Sequence, residues 1–174
     1  MKTKRFLISL ATFIILVFIG VFLIEDEIEV QEEKVAGVTQ EVPLYQVTRI
    51  IDGDTIEVEK DEESYRVRMI GIDTPETVHP TKPVEYFGIE ASNKLKEMIE
   101  NKEVELLPDP TQDDIDRYGR LLRYVYLNGV DVNLEMIKQG YAFEYTYRIP
   151  YEKQEIYKQA QEFAKSNELG LWKR

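Results

Sequence analysis

Nineteen consecutive uncharged residues, Phe6 to Ile24, stand near the head of this 174-residue chain. As a helix they extend roughly 28 Å, enough to cross the hydrocarbon core of a bilayer. Lys2, Lys4 and Arg5 precede the run and Glu25, Asp26 and Glu27 follow it, so the positive-inside tendency leaves the N-terminus in the cytoplasm and sends the rest across the membrane. The run ends Val21-Phe22-Leu23-Ile24, with bulky side chains where a signal peptidase needs small ones. An uncleaved signal anchor over residues 1–24 is therefore expected in preference to a signal peptide, whose removal would make the protein secreted. What remains has room for one ordinary domain.

Residues 25–43 carry seven acids against one lysine and no aromatic residue, which reads as a solvated tether. Pro43 punctuates it, and a folded domain is expected over 44–174. Without cysteine there is no disulfide framework and no thiolate metal site. The net charge of −11 divides as +3 over residues 1–24, −6 over 25–43 and −8 over the rest. That balance argues against a protein that grips nucleic acid through a broad basic face. A site that holds one phosphate with a metal ion and a few arginines escapes the objection, at the cost of modest affinity for a long polyanion.

From Tyr45 to Val58 the pattern is alternating and β-branched, interrupted at Asp52-Gly53-Asp54, and a further strand is predicted from Tyr65 to Ile72. Val104–Leu107 and Leu121–Leu127 read as strands, the latter closed by an Asn128-Gly129 turn. Helical spacing follows in Ile89, Ala91, Leu95, Met98 and Ile99. It returns in Val132–Gln139, stopped by Gly140, and from about Pro150 to Asn167 with Gly170 beyond. Leu95, Met98, Ile99, Ile156 and Phe163 are expected in the core. Five strands with inserted helices predict a small α+β domain. If the sheet closed on itself it would be an OB-type barrel, which periodicity alone does not decide.

Three clusters place charges beside Gly or Pro at strand ends. Ile51-Asp52-Gly53-Asp54-Thr55, taken alone, is most simply a hairpin turn. In Arg66-Val67-Arg68-Met69-Ile70-Gly71-Ile72-Asp73-Thr74-Pro75-Glu76-Thr77, alternation puts Arg66 and Arg68 on one strand face. Asp54, Asp73 and the Thr74 carbonyl are hard oxygen donors of the kind a divalent cation takes, leaving Glu76 as a candidate base; the bland alternative is a solvated loop. Asp116-Arg117-Tyr118-Gly119-Arg120 offers an arginine fork for a phosphate, or merely screened surface ion pairs.

Taken together and in this order, the three clusters resemble the staphylococcal-nuclease-like, or thermonuclease, family. The Glu85-Tyr86-Phe87-Gly88-Ile89-Glu90-Ala91-Ser92 lead-in to the first helix and the Gly170-Leu171-Trp172 ending extend the likeness over Tyr45 to Trp172. The resemblance implies an OB-fold, five-stranded β-barrel with three α-helices. It also implies a calcium-dependent nuclease that hydrolyses DNA or RNA to products with 3′-phosphate ends. By motif, Asp54, Asp73 and the Thr74 carbonyl look like Ca2+ ligands, with Asp52 close by. Arg68 and Arg120 look like the phosphate-binding arginines and Glu76 like the carboxylate that activates water. Tyr118 resembles a tyrosine that contacts a terminal phosphate, and Tyr147 one that faces the nucleotide. Glu144 stands where the family is apolar, and the Gly140–Pro150 segment is about one residue shorter, which unsettles the register of Tyr145 and Tyr147. A monomer attached to the outer face of a membrane is expected. The alternative is a barrel that binds nucleic acid without cleaving it; a glycosidase built on Asp73 and Glu76 would leave both arginines without a task.

Overall fold

The computed structural model describes residues 42–77 and 83–173. The expected anchor and the tether up to residue 41 lie outside them, as does the single histidine, His79. Among the described residues no helix is long and apolar enough to cross a membrane.

The chain opens with an antiparallel meander of β1 (Leu44–Asp52), β2 (Thr55–Lys60) and β3 (Glu63–Met69). Gly53 and Asp54 make the first connection, and Asp61 and Glu62, both at positive φ, make the second in the manner favoured by two-residue hairpins. Helix α1 (Gly88–Ile99) then crosses to β5 (Glu103–Leu107), with a two-residue β4 (Ile72–Asp73) on the way. After β6 (Leu121–Leu127) come β7 (Val130–Asp131), α2 (Val132–Lys138), β8 (Phe143–Glu144) and α3 (Gln154–Ser166). The predicted Asn128-Gly129 turn joins β6 to β7, both residues at positive φ.

Closure is decided by two pairings that no local pattern specifies. The first residues of β1 pair with β5 (Leu44↔Glu105, Gln46↔Glu103) while its remainder pairs with β2. The double duty is made possible by register irregularities after Val47 and Ile50 that bend the strand. On the far side β3 and β6 run parallel, Val67↔Leu121 and Arg68↔Leu122. Five strands thus close in the order β3-β2-β1-β5-β6 and back to β3, the OB-type barrel. Its interior is filled by Val47, Ile56, Val58, Val67 and Met69, and α1 seals one side with Leu95 and Ile99. Each such burial contributes roughly 1.5–3 kcal/mol. Asn133, fully buried on α2, spans the parallel joint: it donates to Ile70 O at 2.9 Å and accepts from Val125 N–H at 3.0 Å.

Three expectations are corrected. The strand predicted through Ile72 stops at Met69, because Gly71 takes φ +75° where a Cβ would meet the Tyr151 ring at 2.6 Å. Helix α3 begins at Gln154 rather than Pro150, since the buried Tyr151 turns inward first and its carbonyl accepts from Gln154 N–H. Ile156 and Phe163 are not core: they are 55% and 48% exposed, and the buried stripe is Tyr157, Ala160 and Ala164. On the buried face Tyr157 takes the place expected of Ile156, and its hydroxyl lies 3.0 Å from each oxygen of the Asp131 carboxylate.

Candidate active site

The β1–β2 turn is folded around its own acids. Asp52 Oδ1 accepts from Gly53 N–H at 2.8 Å, and Asp54 Oδ1 from the Thr55 hydroxyl at 2.9 Å. The other Asp54 oxygen takes both the backbone N–H and the hydroxyl of Thr74, at 3.1 and 3.2 Å. This stitches the turn to the loop after β4, twenty residues on. A side chain at Gly53 would collide with Thr74, so the close approach depends on glycine.

Arg68 leaves β3 on the same edge and bends back over this junction. Its Nη1 donates to the carbonyls of Met69 and Ile72 at 3.0 and 2.8 Å. Its Nη2 lies 3.2 Å from Asp54 Oδ2 and 2.9 Å from Asp73 Oδ1. Two carboxylates therefore converge on one guanidinium, a balance of one positive charge against two negative ones in a half-buried setting. Burial raises the Asp73 carboxyl above its ordinary range although Arg68 opposes it. Asp52 is pushed up to about 6, first by burial and further by Asp54 and by a hydrogen bond with Glu76, against the Thr77 and Gly53 donors. Excess negative charge gathered by oxygen donors is the environment that a hard cation neutralises.

Glu76 is held from both ends. Its N–H donates to the Glu85 carboxylate at 3.1 Å and its carbonyl accepts from Glu85 N–H at 3.0 Å, while Thr77 donates its hydroxyl to Asp52 at 2.7 Å. The start of α1 packs directly on this loop: a Cβ on Gly88 would lie 2.8 Å from Thr77 and 2.9 Å from Pro75 O. The Glu85–Gly88 motif thus shapes the Glu76 loop, a role for Glu85 that its sequence position alone did not suggest.

The third cluster is organised by Asp116. Its Oδ1 accepts from the N–H groups of Tyr118 and Arg120, at 2.9 and 3.0 Å, and its Oδ2 takes Arg120 Nε at 2.7 Å and Nη2 at 2.6 Å. Burial works to raise this carboxyl, but those donors outweigh it and hold it below the usual range. The Tyr118 ring lies beneath both neighbouring guanidiniums, 4.7 Å from Arg117 and 5.3 Å from Arg120. Its hydroxyl accepts from Arg117 Nη2 at 2.6 Å, which leaves its own proton available to an acceptor.

Arg68 and Asp73 meet the third cluster at one cavity of about 490 Å³, whose lining includes Arg68, Asp73, Tyr118, Arg120 and Tyr147. Asp54 and Thr74 stand behind Arg68, and Glu76 is linked to the same junction through Asp52. Neither they nor Glu76 line the cavity. Tyr145 and Tyr147 form the opposing wall, their rings 6.4 Å apart, with Arg148 over Tyr147 at 5.0 Å. Their register is set by β8, which pairs Glu144 with Ile72 and Phe143 with Asp73. Among the described residues no three His, Cys, Asp or Glu side chains cluster as a ready metal cage. Asp54 and Asp73, both within 3.2 Å of Arg68 Nη2, are a pair of carboxylates and not a cage.

A closed OB-type barrel that brings two arginines and Asp73 to one cavity, with Asp54 on the far side of Arg68, defines a small α+β domain built to handle an anionic ligand. Residues 66–174 match the family model described as staphylococcal nuclease homologue, and the chain belongs to that family. It is 44% identical over 128 residues to the thermonuclease of Staphylococcus hyicus, covering 74% of this chain and 75% of that one. A second thermonuclease, from Staphylococcus intermedius, is 44% identical over 131 residues, covering 75% and 76%. The endonuclease YncB of Bacillus subtilis is 37% identical over 125 residues, covering 71% of this chain and 59% of that one.

Proposed function

We propose that this chain is a calcium-dependent nuclease that hydrolyses phosphodiester bonds in DNA or RNA and leaves 3′-phosphate ends. The observation that carries the reading is the convergence of Arg68 and Arg120 on one cavity, with Arg68 bound to both Asp54 and Asp73. Relatives named thermonuclease and endonuclease support it. The donor set suits calcium: two carboxylates and the Thr74 carbonyl are all hard oxygens, and one guanidinium leaves their charge incompletely balanced. Bound there, the ion would polarise a phosphoryl oxygen.

The protein's own groups divide the remaining work. Arg68 and Arg120 bind the scissile phosphate and stabilise the charge that accumulates on its oxygens in the transition state. Glu76, steered by Glu85 and Asp52, orients a water in line and takes its proton as the bond to the 5′ oxygen breaks. Tyr118 donates its hydroxyl to a neighbouring phosphate. Tyr147 presents a ring on which a base stacks with little sequence preference. The N-terminal run places this domain, a monomer, on the outer face of the cell membrane. Mass measurement of the mature protein distinguishes an intact anchor from a cleaved, secreted form.

The test is hydrolysis of single-stranded DNA by the full-length chain, with calcium and with chelator, beside Glu76→Gln and Arg120→Ala. Calcium-dependent cleavage that both substitutions depress by about 10²-fold or more supports the assignment. Intact substrate in every arm, with folding verified, overturns it in favour of a barrel that binds without cleaving.

A further inference from the structure

Glu144, the last residue of β8, stands in surroundings built for a carboxylate. Along the segment after β8 the side chains alternate. Tyr145 and Tyr147 line the cavity, while Glu144 is absent from that lining and reaches Thr146 on the other face. Glu144 Oε1 accepts the Thr146 hydroxyl at 2.6 Å and the Tyr151 hydroxyl at 3.0 Å. The Thr146 oxygen in turn accepts from Gln154 Nε2 at 2.6 Å. The Glu144 N–H donates to Gln161 Oε1 at 3.0 Å, so two residues of α3 hold the same short stretch. On the barrel side Tyr145 N–H donates to Gly71 O at 3.0 Å, and the Tyr151 hydroxyl lies 3.3 Å from that same carbonyl.

We infer that Glu144 is a positioning residue: one carboxylate oxygen, gathering the hydroxyls of Thr146 and Tyr151, holds the Tyr145–Tyr147 wall at the distance from Arg68 and Asp73 that a stacked nucleotide requires. The inference rests on the nuclease reading for its functional consequence. Hydrogen bonds to an ionised acceptor are stronger than neutral ones, and each anchors a different element. Thr146 belongs to the wall itself and Tyr151 to the turn before α3, while the β8–β4 pairing sets Glu144 beside Ile72 and Phe143 beside Asp73. Burial and the adjacent carboxylate push the Tyr151 phenol far up, so it remains a donor at any working pH. An apolar residue at 144 would remove the acceptor of the Thr146 hydroxyl and leave the Tyr151 hydroxyl only Gly71 O at 3.3 Å, so that the wall would keep the Gln154–Thr146 bond and its backbone bonds but lose the carboxylate that joins Thr146 to Tyr151.

The experiment compares full-length wild type with Glu144→Val, Glu144→Gln and Thr146→Val. Single-stranded oligonucleotides are cleaved in calcium, with a normal or an abasic nucleotide beside the scissile bond. A base stacked on an aromatic ring adds to binding whatever its sequence. Glu144→Val should therefore raise KM about five- to tenfold, with kcat within about twofold, and shrink the preference for the normal over the abasic substrate. Glu144→Gln, whose amide oxygen still accepts both hydroxyls, should stay within about twofold of wild type, and Thr146→Val should fall between. Independently of activity, exchange of the Tyr145 amide should accelerate about tenfold or more in Glu144→Val. If the wild type cleaves and Glu144→Val and Thr146→Val leave KM and the abasic ratio unmoved, the positioning role is overturned. If the wild type does not cleave, the nuclease reading fails, and amide exchange alone judges Glu144: acceleration upholds its hold on the wall, and unchanged exchange refutes it.

Discussion

Asp116 grips Arg120 twice, at the backbone N–H through one carboxylate oxygen (3.0 Å) and at Nε and Nη2 through the other (2.7 and 2.6 Å). The same oxygen that takes the Arg120 amide takes that of Tyr118, so one side chain sets both the turn and the aim of the arginine. Asp116→Ala should lower kcat by about 10- to 100-fold, less than Arg120→Ala, because the guanidinium survives but loses its orientation. The double variant should be no worse than Arg120→Ala alone, since the two act as a unit. Steady-state kinetics on single-stranded DNA check this, and additive losses would refute the coupling.

Arg68 stands between Asp54 and Asp73, so its removal leaves two carboxylates facing each other. Arg68→Met should be destabilised in chelator, and calcium should stabilise it more than it stabilises wild type. A ligand at 100 times its Kd adds about 2.7 kcal/mol, a rise in Tm of several degrees for a chain of this size. Thermal melts with and without calcium decide the point. Equal calcium shifts in both proteins would mean that the ion does not bind beside Arg68.

Asp109 is buried and collects four donors: the Thr111 N–H and hydroxyl, Glu152 N–H at 2.8 Å, and the Tyr124 hydroxyl. Burial raises its carboxyl, but the donors prevail and hold it below its ordinary value. A carboxyl depressed in the folded state adds stability that is fully present above the unfolded value of about 3.9 and is lost as pH falls through the folded value. Asp109→Asn should cost about 2–4 kcal/mol at pH 7. The gap from wild type, measured by urea denaturation, should close as the pH drops below about 4. A gap independent of pH would show that the charge plays no part.

Gly140 and Gly170 meet backbone to backbone, and Leu171 N–H donates to Gly140 O at 2.8 Å. A Cβ on Gly140 would sit 2.4 Å from Leu169 O, and one on Gly170 would sit 2.2 Å from Gly140 O. Both residues are at positive φ. Alanine at either position should destabilise by about 3 kcal/mol or more, beyond the usual cost of an αL alanine. An unchanged denaturation midpoint would contradict this contact.

Much of this molecule is written in local pattern. The spacing of α1 and α2, the Val104–Leu107 and Leu121–Leu127 strands, the Asn128-Gly129 turn and the Gly140 stop depend on neighbours a few residues apart, and each appears in the structure. The ordered motifs were specific enough to indicate the family, because Asp54, Arg68, Asp73 and Arg120 occupy strand ends and turns whose spacing is set by the barrel. What depended on the third dimension was hidden. Neither the parallel β3–β6 seam nor the divided loyalty of β1 leaves a periodic trace. That α3 buries Tyr157, its hydroxyl at Asp131, and exposes Ile156 and Phe163 is a matter of tertiary contacts, which helical spacing cannot register. Glu85 on Glu76, Asp116 on Arg120 and Glu144 on Thr146 and Tyr151 are side-chain bonds. Their strength comes from distance and direction in a partly desolvated site, and only the folded chain specifies those.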